Sequence, residues 1–219
     1  MTRTASGVAA VVTALLLGMT ACSHDDGSSG ASQSPDAKKS AIAGPVDKQT
    51  KSGLAGLAVL PRGYVADPGN ATGPFTATSF LNTWSADPAL DRALLLNAAF
   101  VEGYRATRLS PDKKKRFTLQ LFRTGSPAKA RNLQQGFWGQ DIHEKSFGVP
   151  DALSDARVDY DGGADQSVAV AEVSFVVGPM VAELSVRQTG ALGSDLKPDT
   201  ALITALAKEQ RARLTATSS

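Results

Sequence analysis

The nonapeptide KRFTLQLFR, residues 115–123, carries the pattern that decides the fold. Phe117, Leu119 and Leu121 alternate there with threonine and glutamine. This two-residue period is typical of a β-strand that buries one face and keeps the other polar. The run GYRATRL precedes it, and the Pro-Asp pair between the two runs predicts a hairpin turn.

The last third of the chain continues the strand pattern. The runs ARVDY, SVAVAEVSFVV and VAELSVRQ predict a meander with turns at Gly162-Gly163 and Gly178-Pro179. Antiparallel strands with helices on a face predict an α+β fold rather than a parallel α/β fold.

About three helices are expected to pack on this antiparallel sheet. Two have a capping residue followed by proline at the first helical position, namely Asp87 with Pro88 and Ser126 with Pro127. A third helix is predicted at about residues 198–213. Strands followed by a helix occur twice, which is compatible with a duplicated β-β-α unit, although the two halves share no residue-level identity.

The N-terminus has the features of an export signal. Arg3 is followed by the apolar run at residues 8–17, which is shorter than the roughly 20 residues of a membrane-spanning helix. Thr20 and Ala21 then precede Cys22, the one cysteine of the chain. An uncleaved membrane helix and ordinary secretory cleavage are the alternatives.

The small residues before Cys22 resemble the lipobox of bacterial lipoproteins. The resemblance implies cleavage between Ala21 and Cys22 and acylation of the thiol with chains such as palmitate. We therefore predict a lipoprotein signal peptide at residues 1–21, an acylated cysteine and disordered tether at 22–52, and a single globular domain at 53–219. The expected location is the outer face of the cytoplasmic membrane, with the lipid as anchor.

Composition excludes several functions. The net charge of +2 gives no reason to expect a nucleic-acid partner. The two histidines, His24 and His143, and the single cysteine offer no catalytic triad, and no zinc or phosphate-binding motif is present. No catalytic residue and no cofactor are therefore predicted, and His143 is interpreted as a solvated loop or helix-end residue.

Two charged clusters have both a functional and a structural interpretation. Asp159, Asp161 and Asp165 are weak candidates for calcium, but the EF-hand order fails and a hairpin turn needs the same residues. The basic run is a candidate contact for anionic headgroups or envelope polymers, or else a solvated hairpin tip. It comprises Lys113, Lys114, Lys115 and Arg116.

The aromatic and acidic residues do not identify the class of ligand. Trp84 and Trp138 suit either a core or the mouth of an apolar groove. Glu172 and Glu183 lie in the predicted last hairpin, where alternation would put them on the solvent face.

The segment FVEGYRAT at residues 100–107, the strand FTLQLFR and the helix start SPAKARNL resemble a group of actinobacterial envelope lipoproteins. That group has no assigned activity, so the resemblance implies no catalytic residue. We expect a membrane-anchored, non-enzymatic binding or accessory module for an envelope protein or apolar ligand. The alternative is an envelope hydrolase that uses dispersed carboxylates, which two acids together in a deep cleft would favour.

Overall fold

The structure is a computed structural model that describes residues 53–161 and 164–217. The strands are β1 (Val65–Ala66), β2 (Gly73–Phe75), β3 (Glu102–Leu109), β4 (Lys115–Arg123), β5 (Leu153–Asp161), β6 (Gln166–Val177) and β7 (Met180–Ala191). The helices are α1 (Ala77–Thr83), α2 (Pro88–Asn97), α3 (Pro127–Trp138) and α4 (Thr200–Thr217), preceded by a 3-10 helix at Gly53–Leu57. The predicted signal peptide, lipidated cysteine and tether lie outside the described residues.

In the described part of the chain, the seven strands form one antiparallel sheet in the order β1-β3-β4-β7-β6-β5, with β2 pairing β3. The predicted α+β class, the β3–β4 hairpin and the β5–β6–β7 meander are confirmed. Strands β4 and β7 pair along their length and so join the hairpin to the meander.

One face of the sheet packs against α4 and the 3-10 helix. The alternating residues predicted from KRFTLQLFR, Phe117, Leu119 and Leu121, are fully buried there, opposite the apolar residues of β7. Gln210 of α4 completes this side, because its side chain accepts from the Val59 amide and donates to the Leu57 carbonyl, both at 2.8 Å. These bonds satisfy a buried amide and tie both ends of the domain together.

The opposite face packs against α1, α2 and α3 through an aromatic cluster. Phe75, Phe80 and Phe122 contact each other with ring centroids 5.3–5.6 Å apart. Leu133 of α3 and Val181 of β7 complete the cluster. Edge-to-face aromatic pairs of this kind stabilise a core beyond the area that they bury.

The helix starts follow the predicted capping signals. Asp87 accepts from the Ala89 and Leu90 amides, and Ser126 accepts from the Lys129 amide. Helix α1 was not predicted, and it begins at a capping box formed by Thr76 and Ser79.

The repeated order of strands and helix does not build two equivalent units. Helices α3 and α4 both pack on β6 and β7 but on opposite faces of the sheet. Among the described helices, none combines the length and apolar character needed to cross a bilayer.

Gly103 of β3 should tolerate no side chain. A Cβ at this position would lie 2.1 Å from the ring of Phe75, whereas a Cβ at Gly148 meets no atom within 4 Å. We expect Gly103→Ala to lower the free energy of unfolding by about 3 kcal/mol because the buried ring has no space to move into. Gly148→Ala is the matched control and should change it by less than about 1 kcal/mol. Denaturant unfolding measures both, and equal effects would contradict this packing.

Candidate functional site

The helix-covered sheet face changes from apolar to polar along its strands. Four cross-strand rows run from β3 across β4 and β7 to β6, and their members are in register. The covered row consists of Gly103, Phe122, Val181 and Val176. The second row consists of Arg105, Gln120, Glu183 and Ser174, and the third row of Thr107, Thr118, Ser185 and Glu172. The outer row includes Arg116 and Arg187. Helices α1–α3 bury the covered row, and the rows beyond it form a polar floor that ranges from buried at Ser174 to exposed at Arg187.

This floor and the rim of the helices enclose the sheet-face cavity, with a volume of about 460 Å³. Trp84, at the end of α1, and Phe137 and Trp138, at the end of α3, form its wall. The second, third and outer rows supply the floor, including Ser174, Glu183 and the two outer arginines. An aromatic wall above polar side chains can pack the apolar face of a ligand while the floor binds its polar groups.

Two buried polar atoms at the cavity have no hydrogen-bond partner among the described residues. The Ser174 side chain is 1% exposed and its Oγ is unpaired, although its carbonyl accepts from Gln134 at 2.8 Å. The Nε of Arg105 is also unpaired, while its guanidinium lies 5.1 Å from the Trp84 ring centroid. Unsatisfied buried groups are costly, so at the cavity these two atoms mark positions where a hydrogen bond with a water or a ligand is favourable.

Glu183 lies at the inner end of the cavity and has a strongly perturbed acidity. Burial, followed by the charges of Glu172, Asp141 and Asp91, raises its pKa to about 8, and Arg105 offsets only part of this. At neutral pH the carboxyl group therefore holds a proton and can both donate and accept hydrogen bonds.

Burial also affects Arg105, whose pKa it lowers; the nearby charge of Arg116 acts in the same direction. The cavity thus contains the carboxyl group of Glu183, which is protonated at neutral pH, and the guanidinium of Arg105, whose charged form is destabilised by burial.

His143 follows the end of α3, and it is more constrained than the predicted solvated residue. Its ring stacks on Trp138 with centroids 4.0 Å apart, and Nε2 donates to the Trp138 carbonyl at 2.8 Å. Its Nδ1 lies 3.7 Å from Glu172 and 3.9 Å from Asp155 and has no hydrogen-bond partner among the described residues. Within the described residues, one group has ligand atoms close enough together to hold a metal ion. It consists of His143, Asp155 and Glu172.

A guanidinium already compensates these carboxylates. The Nη1 of Arg157 donates to Asp155 at 2.7 Å and also to Glu172. Burial alone would raise the pKa of Asp155, but this bond and those from the amides of Lys145 and Glu144 outweigh it and hold that pKa below its ordinary value. The positive charge of Arg157 thus offsets the negative charges of Asp155 and Glu172.

Asp159 and Asp165, two of the three aspartates predicted as weak calcium candidates, do not belong to that cluster. Asp159 accepts from Arg157 Nε at 3.2 Å, and Asp165, with a φ of 51°, accepts from the Tyr160 hydroxyl at 3.1 Å. The Asp161 side chain lies outside the described residues. These contacts agree with the hairpin-turn interpretation of DYDGGAD.

The predicted basic run divides into two pairs. Lys115 binds Asp199 at 2.6 Å and Arg116 binds Asp67 at 2.9 Å, whereas Lys113 and Lys114 are exposed. The structure places Arg116 on the cavity floor, so it lies in the candidate site as well as in the β4 hairpin.

The sequence did not predict the cavity itself. Glu172 and Glu183 lie on the polar sheet face, as alternation implied, and Glu183 is half-buried beside residues of α1–α3. Trp84 and Trp138 form a cavity wall, whereas Phe117 belongs to the core. The available signal was the run of polar residues at alternate positions of β3, β4, β6 and β7.

Comparisons with known proteins identify no family. No family model matches the chain, and no curated protein matches it. Among solved structures, the extracellular domain of PknH from Mycobacterium tuberculosis is similar at 8% identity and a TM-score of 0.32, over 70% of this chain and 80% of that chain. At that level the likeness identifies neither family nor function.

The raised pKa of Glu183 predicts a pH-dependent stability. Between its ordinary pKa of 4.5 and about 8, the folded state holds a proton that the unfolded state releases, so stability falls as pH rises through this window. We expect Glu183→Gln to melt a few degrees higher than the parent at about pH 8, with little difference below pH 4.5.

Thermal unfolding of the full chain across this range measures the effect. Glu209→Gln, which changes an exposed glutamate of α4, is the control and should show no such trend. If the difference in melting temperature between Glu183→Gln and the parent did not change with pH, Glu183 would not be desolvated as described.

Proposed function

We propose that this chain is a lipid-anchored, extracytoplasmic protein that binds a polar, hydroxyl-rich ligand, such as an envelope saccharide, in the sheet-face cavity. The observation that carries the proposal is the polar floor beneath a wall that contains both tryptophans of the chain. Sugars present apolar C–H faces and many hydroxyl groups, and these two surfaces match an aromatic wall and a polar floor.

The floor offers hydrogen-bonding groups of both kinds. Gln120 has donors and acceptors, Thr118 and Ser185 have hydroxyls, and protonated Glu183 can donate or accept. Ser174 adds a buried hydroxyl with no partner in the described chain. A ligand hydroxyl above Ser174 would satisfy it, and this polar lining favours a polar ligand over the apolar ligand expected from the aromatic residues.

The N-terminal sequence supports the proposed location. The apolar run, the small residues before Cys22 and the polar stretch after it match the order of a bacterial lipoprotein precursor. A flexible tether of about 30 residues has a root-mean-square span on the order of 30 Å, which would let the domain reach ligands in the envelope.

One observation favours a second function, hydrolysis of a glycosidic bond. Glu172 and Glu183 are diagonal neighbours on adjacent strands, since Ser174 pairs with Glu183 and Glu172 with Ser185. A protonated glutamate with a pKa of about 8 is suited to act as a general acid beside a second carboxylate. Release of reducing ends from a saccharide by the parent but not by Glu183→Gln would favour this function over binding alone.

Saccharide binding should change the intrinsic fluorescence, because both tryptophans line the cavity. We expect saturable changes with at least one of the neutral probes maltotriose, mannotriose and chitotriose. Gln120→Ala, which removes a floor amide, should weaken binding about fivefold to tenfold through the loss of a hydrogen bond.

Gln188→Ala is the matched control for this titration. Gln188 is half-buried on β7 but has the opposite alternation, so its side chain lies on the other sheet face. Equal effects of the two variants, or no saturable change with any probe, would contradict the proposed ligand class.

The lipid anchor is tested separately by fractionation. We expect the parent chain to remain with bacterial membranes after alkaline washing, and Cys22→Ala to move to the soluble fraction because it has no thiol to acylate. Retention of Cys22→Ala in the washed membranes would show that another feature holds the protein there.

A further inference from the structure

We infer that the outer end of the sheet-face cavity binds an oxyanion group of the ligand, between Arg116 and Arg187. The inference rests on the proposed function and makes it more specific: the ligand would carry a phosphoryl, sulfate or carboxylate group in addition to its hydroxylated body.

The first observation is the strand register. Arg116 of β4 and Arg187 of β7 are directly opposite each other, and both line the cavity. Like charges at directly opposed positions of an antiparallel pair destabilise a sheet. An oxyanion between the two guanidinium groups would replace this repulsion with charge-assisted hydrogen bonds, for which arginine geometry is well suited.

The two arginines are held differently. Asp67, which is 7% exposed, accepts from Arg116 Nε at 2.9 Å and fixes that side chain at the rim. The Asp67 carboxylate also accepts from the Gly69 amide and the Asn70 side chain, so it is itself well positioned. Arg187 forms no ion pair among the described residues and is exposed, so its guanidinium remains available.

Further cations lie beside this pair. Lys113 and Lys114 line an adjoining cavity of about 470 Å³ together with Arg116 and Arg187. Lys113 lies in the hairpin turn, where its backbone φ is 59°. Lys113 and Lys114, two of the four residues in the predicted anionic contact, form no ion pair among the described residues, and Arg187 of the neighbouring strand β7 lies beside them.

The acids of the cavity offset only part of this positive end. Asp67 pairs with the Nε of Arg116, whereas Arg187 forms no ion pair among the described residues. Asp141 also lines the cavity, near Glu183 at the inner end.

Glu183 lies at the inner end and holds a proton up to about pH 8. Glu172 accepts from Arg157, which compensates its charge. The cavity thus has a hydroxyl-binding inner end and a cationic outer end, which fits an acidic or phosphorylated saccharide.

The test titrates the full chain carrying Cys22→Ala with inorganic phosphate at constant ionic strength, followed by NMR of the arginine Nε–Hε groups. We expect saturable shifts at Arg116 and Arg187. Arg187→Gln should weaken phosphate binding at least about tenfold through loss of a charge-assisted hydrogen bond. Arg131→Gln, which removes an exposed arginine of α3, should leave it unchanged.

Absence of saturable shifts at these two arginines, or equal effects of the two variants, would overturn the inference. Arginine-dependent binding to vesicles that contain phosphatidylglycerol, without a response to free phosphate, would also overturn it, because the pair would then bind headgroups at a surface rather than a cavity ligand. Neutral trisaccharides in the fluorescence titration test the cavity separately, so failure of the oxyanion site is distinguishable from failure of saccharide binding.

Discussion

The two-residue alternation of β4 and β7, held in register with each other, is the constraint on which the rest of the structure depends. It gives one sheet face a continuous apolar surface for α4, with Leu119 opposite Leu184. On the other face it allows apolar residues only in the covered row, with Phe122 opposite Val181. Helices α1–α3 bury that row, whereas the next position on each strand is polar even where it is buried, as at Ser174. The cavity is therefore a consequence of the register.

A polar cavity of this kind lowers stability, and the remainder of the fold has to compensate. The Ser174 hydroxyl and the Arg105 Nε have no hydrogen-bond partner among the described residues, and the Glu183 carboxyl is half-buried, so each of these groups carries a desolvation cost. The fully buried core beneath α4 and the aromatic cluster around Phe122 supply the favourable burial. Local violations of the usual burial rules are typical of functional sites, which is why these groups are the basis of the proposed function.

The fold could be predicted from local sequence, whereas the cavity could not. KRFTLQLFR and the capped starts at Asp87 and Ser126 are short-range signals, and the strands and helices that they predicted are present. Helix α1 was missed because its capping box follows a stretch rich in turn residues. The cavity depends on which strands become neighbours, and the pKa of Glu183 depends on Asp91 and Asp141, which helix packing brings close. Neither fact can be read from spacing along the chain.

The central claim is that the uncovered rows form a binding cavity that desolvates Glu183, and not an ordinary solvent-exposed sheet face. The acidity of Glu183 distinguishes the two most directly, because desolvation is the largest cause of its shift. The side-chain carboxyl pKa of Glu183 can be measured by carbon-13 NMR, with the resonance assigned through Glu183→Gln. The account predicts titration at about pH 8, and titration near the ordinary value of 4.5 would contradict it.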